Sequence, residues 1–158
     1  PTRRSSDLEV GVREPRATFS ACFGAPFLVW PPARYAELLA ARIRAHGSRT
    51  WLVNTGWTGG PYGVGRRMSI AHTRAVIDGI HSGELAEAPA EVDPTFGFEV
   101  PTTCTGVPDG VLRPRESWPD AREYDLRARE LAGRFAENFE DFPGAEMAAI
   151  RAAGGPRL

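Results

Sequence analysis

Apolar positions recur at helical spacing in three stretches of the chain. Tyr35, Leu38, Leu39 and Ile43 fall on one face of residues 33–46, with Pro32 near the start and Gly47 placed to end the segment, which predicts a helix. Ile70, Ile77 and Ile80 mark a second helix facing inward, capped by Ser69, running to about Ser82 and stopped by Gly83. Tyr124, Ala128, Leu131, Phe135 and Phe139 mark a third, opening at Asp120, where Asp-Ala-Arg-Glu has the form of a capping box. A short last helix is predicted over residues 145–153, ending at Gly154 and Gly155. Between these, residues 51–54 read as a short buried strand and residues 96–100 as a strand ending at Pro101. An extended, proline-punctuated segment then runs through Pro119. Helices interspersed with short strands predict a mixed α/β layer architecture.

One stretch breaks the periodicity. Residues 56–65 hold five glycines, a proline and a tryptophan, and they lead through Arg66 and Arg67 into the second helix. Strand, glycine-rich turn and helix in that order can present backbone N–H groups and a helix N-terminus to an anion. Two phosphate motifs nevertheless fail. Gly60 and Gly65 have Walker A spacing, but Arg66-Arg67 stands where Lys-Ser/Thr is required. Pro61 removes a donor from any G-x-G-x-x-G fingerprint. A tight structural turn remains open beside a binding role. The binding role rests on Arg67 next to the apolar Met68, with Thr73 one turn into the helix: a guanidinium stacks on a purine, a thioether packs its edge, and a hydroxyl bonds in the base plane.

Composition narrows the class. The chain has 158 residues, 42% hydrophobic, with a formal charge of −1, as expected of a globular chain of about one domain. No window approaches the roughly 18 apolar residues of a membrane span, and a cytoplasmic setting is the expectation. All 19 basic residues are arginine, so the chain offers neither a P-loop lysine nor a Schiff-base lysine. Charge is uneven: residues 9–81 carry nine arginines against four acids, a net of +5, whereas residues 82–158 carry eight against fifteen, a net of −7. The basic half holds the glycine stretch. No aromatic-basic interleaving of an RNA-binding kind accompanies it, so no nucleic-acid partner is expected. The acidic half reads as a solvated helical face. Residues 1–8, PTRRSSDL, read as a translated sequencing adapter and are set apart from the fold, leaving 9–158 as the domain.

The other chemistry-bearing residues carry bland explanations. Cys22 and Cys104 are far apart with no C-x-x-C partner, and both are expected to be reduced and buried. Cys104 has no histidine near it in sequence and reads as packing rather than as a nucleophile. His46, His72 and His81 share no metal spacing and are assigned to helix surfaces or ends. Glu137, Glu140 and Asp141 sit on the outward side of the third helix. No catalytic residue and no metal ligand is assigned.

The strings themselves are recognisable. Glu14-Pro15, TFSACFGAPF (18–27), YAELL (35–39), LVNTGWTGGPYGVGRRMSIAHTRAVIDGIHSGEL (52–85), FEVPTTCTGVP (98–108) and W-x-D-x-x-x-Y-D from Trp118 resemble the C-terminal portion of the ATP-dependent phosphoenolpyruvate carboxykinase family. The resemblance covers nearly everything after Glu9. It implies the C-terminal part of a mononucleotide-binding domain, from a lyase that converts oxaloacetate and ATP to phosphoenolpyruvate, CO2 and ADP with Mg²⁺ and Mn²⁺. It also implies that the P-loop, the metal ligands and the oxaloacetate-binding arginines lie upstream of this chain. The family's nucleotide contacts map to Arg67 and Met68 in the G-[KR]-R-[IM]-S-[IL] string and to Thr73 in T-R-A. Arg66 stands where the family more often has lysine, which keeps the charge. Residues 11–15 resemble the end of the family's mobile lid.

Three functions stay open. As a fragment of the carboxykinase the chain would contribute part of the nucleotide pocket and be inactive alone. It could instead be a stand-alone, non-catalytic nucleotide-binding module, or an interaction domain using its Phe-rich helix. In the first case the faces of the Tyr35 and Phe135 helices would stay partly exposed.

Overall fold

The computed structural model describes residue 19, residues 25–142 and residues 145–157. The adapter-like residues 1–8, the lid-like residues 11–15 and Cys22 lie outside the described residues. The chain divides into two units, Pro1–Trp51 and Leu52–Leu158.

In the first unit a 3-10 turn (Ala25–Phe27) precedes α1 (Pro32–His46). Proline starts this helix, where its absent N–H costs nothing, and Gly47 ends it in the left-handed region (φ 60°) with its N–H on the Ile43 carbonyl. The helix follows the periodicity; its burial does not. Tyr35, Leu38 and Leu39 are 36%, 49% and 61% exposed.

Where the two units meet along the chain, the predicted strand is absent. Residues 51–54 form no strand, and Leu52 is 81% exposed. No strand among the described residues pairs with this run; instead the Asn54 side chain accepts the Gly56 N–H at 3.1 Å and turns the chain. The strand comes later, as β1 (Trp57–Thr58), paired antiparallel with β2 (Arg66–Arg67) in the register Trp57↔Arg67 and Thr58↔Arg66. The glycine stretch is therefore a hairpin loop. Then come α2 (Ile70–Ser82) and a one-turn α3 (Glu84–Glu87), joined at Gly83 (φ 85°). Ser69 caps α2 by accepting the His72 N–H at 3.1 Å. Ile70 is 71% and Ile77 37% exposed, so neither is an inward residue. The buried residue of α2 is Gly79, whose missing side chain lets Leu85 and Cys104 approach.

A second antiparallel hairpin joins β3 (Ala90–Val92) to β4 (Glu99–Pro101). The predicted strand over 96–100 is cut back at its start, because the Asp93 carboxylate accepts the N–H groups of Thr95 (3.0 Å) and Phe96 (2.6 Å) and holds them in a turn. The predicted extended segment before Pro119 is two single-turn helices, α4 (Asp109–Leu112) and α5 (Pro114–Ser117). Pro108 stands at the N-cap of one and Pro114 within the first turn of the other, so these prolines start helices.

Helix α6 (Ala121–Phe139) begins where Asp120 accepts the Arg122 N–H at 2.8 Å, and α7 (Ala145–Ala153) closes the fold. The stripe that α6 buries keeps one of the expected positions, Ala128, and adds Ala132. Ala132 (0% exposed) and Ala128 (7%) are the covered positions, while Leu131 and Phe135 are 40% and 44% exposed. Close approach on that side admits only small residues. Ala128, Ala132, Leu85, Cys104, Val107 and Met147 make up the buried apolar set among the described residues. The architecture is mixed α/β, with two separate two-stranded sheets among helices.

Candidate functional site

Arg67 in β2, Met68 just after it and Thr73 in the first turn of α2 place the candidate nucleotide contacts on and beside the hairpin β1–β2. Its loop is closed by the Pro61 carbonyl, which accepts the N–H groups of Val64 (3.1 Å) and Gly65 (2.8 Å). Gly59 (φ 75°), Gly60 (φ 146°) and Gly63 (φ 87°) occupy backbone regions that side-chain-bearing residues rarely adopt. Tyr62, at the tip of the loop, folds back so that its ring meets Trp57 edge-on, 5.5 Å between centroids at 81°.

Arg67 lies across the ribbon from Trp57, and its guanidinium sits over the indole, 5.9 Å from the ring centroid. No acid among the described residues lies within ion-pair distance of it. Met68 follows with its N–H on the Gly56 carbonyl at 3.0 Å, a bond that extends the ribbon by one residue. Thr73 stands in the first turn of α2, where its hydroxyl donates to the Ser69 carbonyl at 3.1 Å. That bond uses the hydroxyl proton and leaves the oxygen's lone pairs as acceptors. Arg67 and Met68 are thus fixed to one short ribbon, with Thr73 on the helix that the ribbon leads into.

Because side chains alternate along a strand, Arg66 leaves the ribbon on the face opposite Arg67. It lines a cleft of about 410 Å³ with Thr58, Gly65, His72, Val111 and Ser117. His72, assigned from sequence to a helix surface, is half-buried in that wall. Its position three residues after a capping serine, directly behind a basic hairpin, was the available signal.

Elsewhere the chemistry is structural. Burial first, and the Glu84 carboxylate second, push the Cys104 thiol above its usual 9.0. The thiol faces the Ala75 carbonyl at 3.7 Å and is a packing residue, as expected. Glu137, Glu140 and Asp141 are exposed. Among the described residues no group of three or more His, Cys, Asp or Glu could hold a metal ion. No described helix is long and apolar enough to cross a membrane.

A family model described as phosphoenolpyruvate carboxykinase matches residues 2–110, which include the hairpin, α2 and both strands of the second hairpin. The chain belongs to the phosphoenolpyruvate carboxykinase family. Among relatives of this family, phosphoenolpyruvate carboxykinase (ATP) 2 of Salinibacter ruber is 55% identical over 157 residues, 99% of this chain and 29% of the relative. Phosphoenolpyruvate carboxykinase (ATP) of Thermus thermophilus is 52% identical, covering 97% of this chain and 29% of its own length. The Dictyostelium discoideum protein of the same name is 49% identical, with 97% and 27% covered. The chain therefore spans less than a third of the length of these carboxykinases, and the similarity continues through α6 and α7 beyond the stretch matched by the family model.

Proposed function

We propose that this chain is the C-terminal part of the mononucleotide-binding domain of an ATP-dependent phosphoenolpyruvate carboxykinase acting in the cytoplasm. In that reaction the bond to one carboxyl carbon of oxaloacetate breaks, CO2 leaves, and the electron pair remains as an enolate. The enolate oxygen then takes the terminal phosphoryl group of ATP, and ADP departs. The segment's share of this work is to hold adenine and its ribose. Arg67 presents a guanidinium face to the purine, Met68 packs against its edge, and the Thr73 oxygen accepts from the exocyclic amino group.

The observation that carries the reading is the placement of Arg67 over Trp57 with no competing carboxylate among the described residues. A cation held against an indole keeps one flat face available for a second π system. The Mg²⁺ and Mn²⁺ that such chemistry uses find no ligand group among the described residues, so no step here is assigned to them. Metals in phosphoryl transfer neutralise charge building up between nucleotide and enolate.

The test is a chimaera in which this chain replaces the matching 29% of the Salinibacter ruber relative. Its ATP dissociation constant is measured by titration calorimetry and its phosphoenolpyruvate formation by turnover. Arg67→Ala should weaken ATP about tenfold, equivalent to about 1.4 kcal/mol. An unchanged constant would overturn the assignment. ATP binding without turnover in the parent chimaera would favour a non-catalytic nucleotide module.

A further inference from the structure

We infer that Trp57 is a positioning residue for nucleotide recognition: its indole, braced by Tyr62, sets the plane in which the Arg67 guanidinium meets a purine. The inference rests on the proposed nucleotide site and deepens it. Three observations converge on Trp57. It is the cross-strand partner of Arg67, so the two side chains share a face of the ribbon. Its ring lies under the guanidinium at 5.9 Å. The Tyr62 ring meets it edge-on at 5.5 Å, which opposes rotation of the indole about its own side-chain bonds.

An arginine side chain on a two-residue strand has four rotatable bonds and no ion-pair partner among the described residues. Left alone it would sample many rotamers, and the entropy of fixing it would be lost on binding. An indole beneath it reduces that loss before the nucleotide arrives. Trp57 is itself 44% exposed, an unusual place for a large aromatic ring whose sole task is packing. The glycine loop has a matching purpose. Seven residues, 59–65, return the chain so that Trp57 and Arg67 pair while Tyr62 reaches back over the ribbon.

The experiment uses the same chimaera, titrated separately with ATP and with CTP. Trp57→Leu should raise the ATP dissociation constant about two- to fivefold, the range expected of an exposed cation–π contact. The CTP constant should change less, so the preference for the purine narrows, with kcat and the oxaloacetate KM unchanged. Trp57→Phe, which keeps a ring under the guanidinium, should restore the constant to within about twofold of the parent, and Tyr62→Leu should fall between. A merely structural role would instead weaken both nucleotides alike and lower kcat. That outcome, or an unchanged ATP constant in Trp57→Leu, overturns the positioning role. If Arg67→Ala weakens ATP while Trp57→Leu does not, the inference fails and the nucleotide site stands. If Arg67→Ala has no effect, the site itself fails.

Discussion

Gly65 runs against Gly60 so closely that a Cβ added to Gly65 would strike the Gly60 carbonyl oxygen and lie 2.9 Å from that of Thr58. Both obstacles are backbone, which no rotamer change can move aside. Gly65→Ala should therefore spread the hairpin and cost about 1–3 kcal/mol, a range typical of overpacking. Urea unfolding of the 158-residue chain measures it. Gly110→Ala, which meets nothing within 4 Å, is the control and should stay within about 0.5 kcal/mol.

Two helix caps offer a second check. Ser69 and Asp120 each accept one N–H from the first turn of the helix they open, at 3.1 and 2.8 Å. Replacement of either by alanine should lower stability by about 1 kcal/mol. Exchange of Ser69 for Asp should be close to neutral, since the carboxylate accepts the same bond. Equal losses in Ser69→Ala and Ser69→Asp would show that the hydroxyl is needed for something other than capping.

Helix α6 separates a buried small residue from an exposed large one. Ala132→Leu adds volume at a position with 0% exposure and should cost about 1–3 kcal/mol. Leu131→Ala removes a side chain that is 40% exposed and should cost less than about 1.5 kcal/mol. Denaturant midpoints rank the two, and the reverse order would mean that α6 is turned differently in solution.

The pH dependence has a defined direction. Burial first, then the nearby carboxylates of Asp93 and Asp125, raises the Tyr124 hydroxyl above its usual 10.0, and burial with Glu84 raises the Cys104 thiol above 9.0. Both groups are neutral at pH 7 whether folded or not. As pH rises, the unfolded chain releases these protons first, so stability is fully present below pH 9 and is lost as pH climbs through the raised folded values. Unfolding midpoints between pH 8 and 11 should fall, and Cys104→Ala with Tyr124→Phe should flatten the decline. At the acid end, hydrogen bonds from Arg115 at 2.8 and 3.0 Å hold the Asp125 carboxyl below its usual 3.8. Its contribution is present above pH 3.8 and disappears as pH falls through the depressed value.

Local signals were legible in the sequence wherever a single residue decides the outcome. Ser69, Gly83, Gly47 and Asp120 end or begin helices where their chemistry places them, because caps act over three or four residues. Burial was less legible, since it depends on what lies opposite. Ile70, Leu131 and Phe135 have the right spacing, yet Gly79 and Ala132, outside the predicted faces, hold close contacts beside the expected Ala128. Leu52 and Val53 look like a strand but have no partner strand among the described residues, and pairing is a property of two segments. At the candidate site, Arg67, Met68 and Thr73 were readable as a string. Trp57 was not, because it matters through strand register, and His72 offered only its place behind the Ser69 cap as a sign of the cleft wall.

The ribbon's two neighbouring arginines face opposite ways, Arg67 toward the indole and Arg66 toward the cleft. Strand register therefore decides which arginine meets the indole. A one-residue slip of β2 against β1 would exchange the two arginines, putting the wrong one against Trp57.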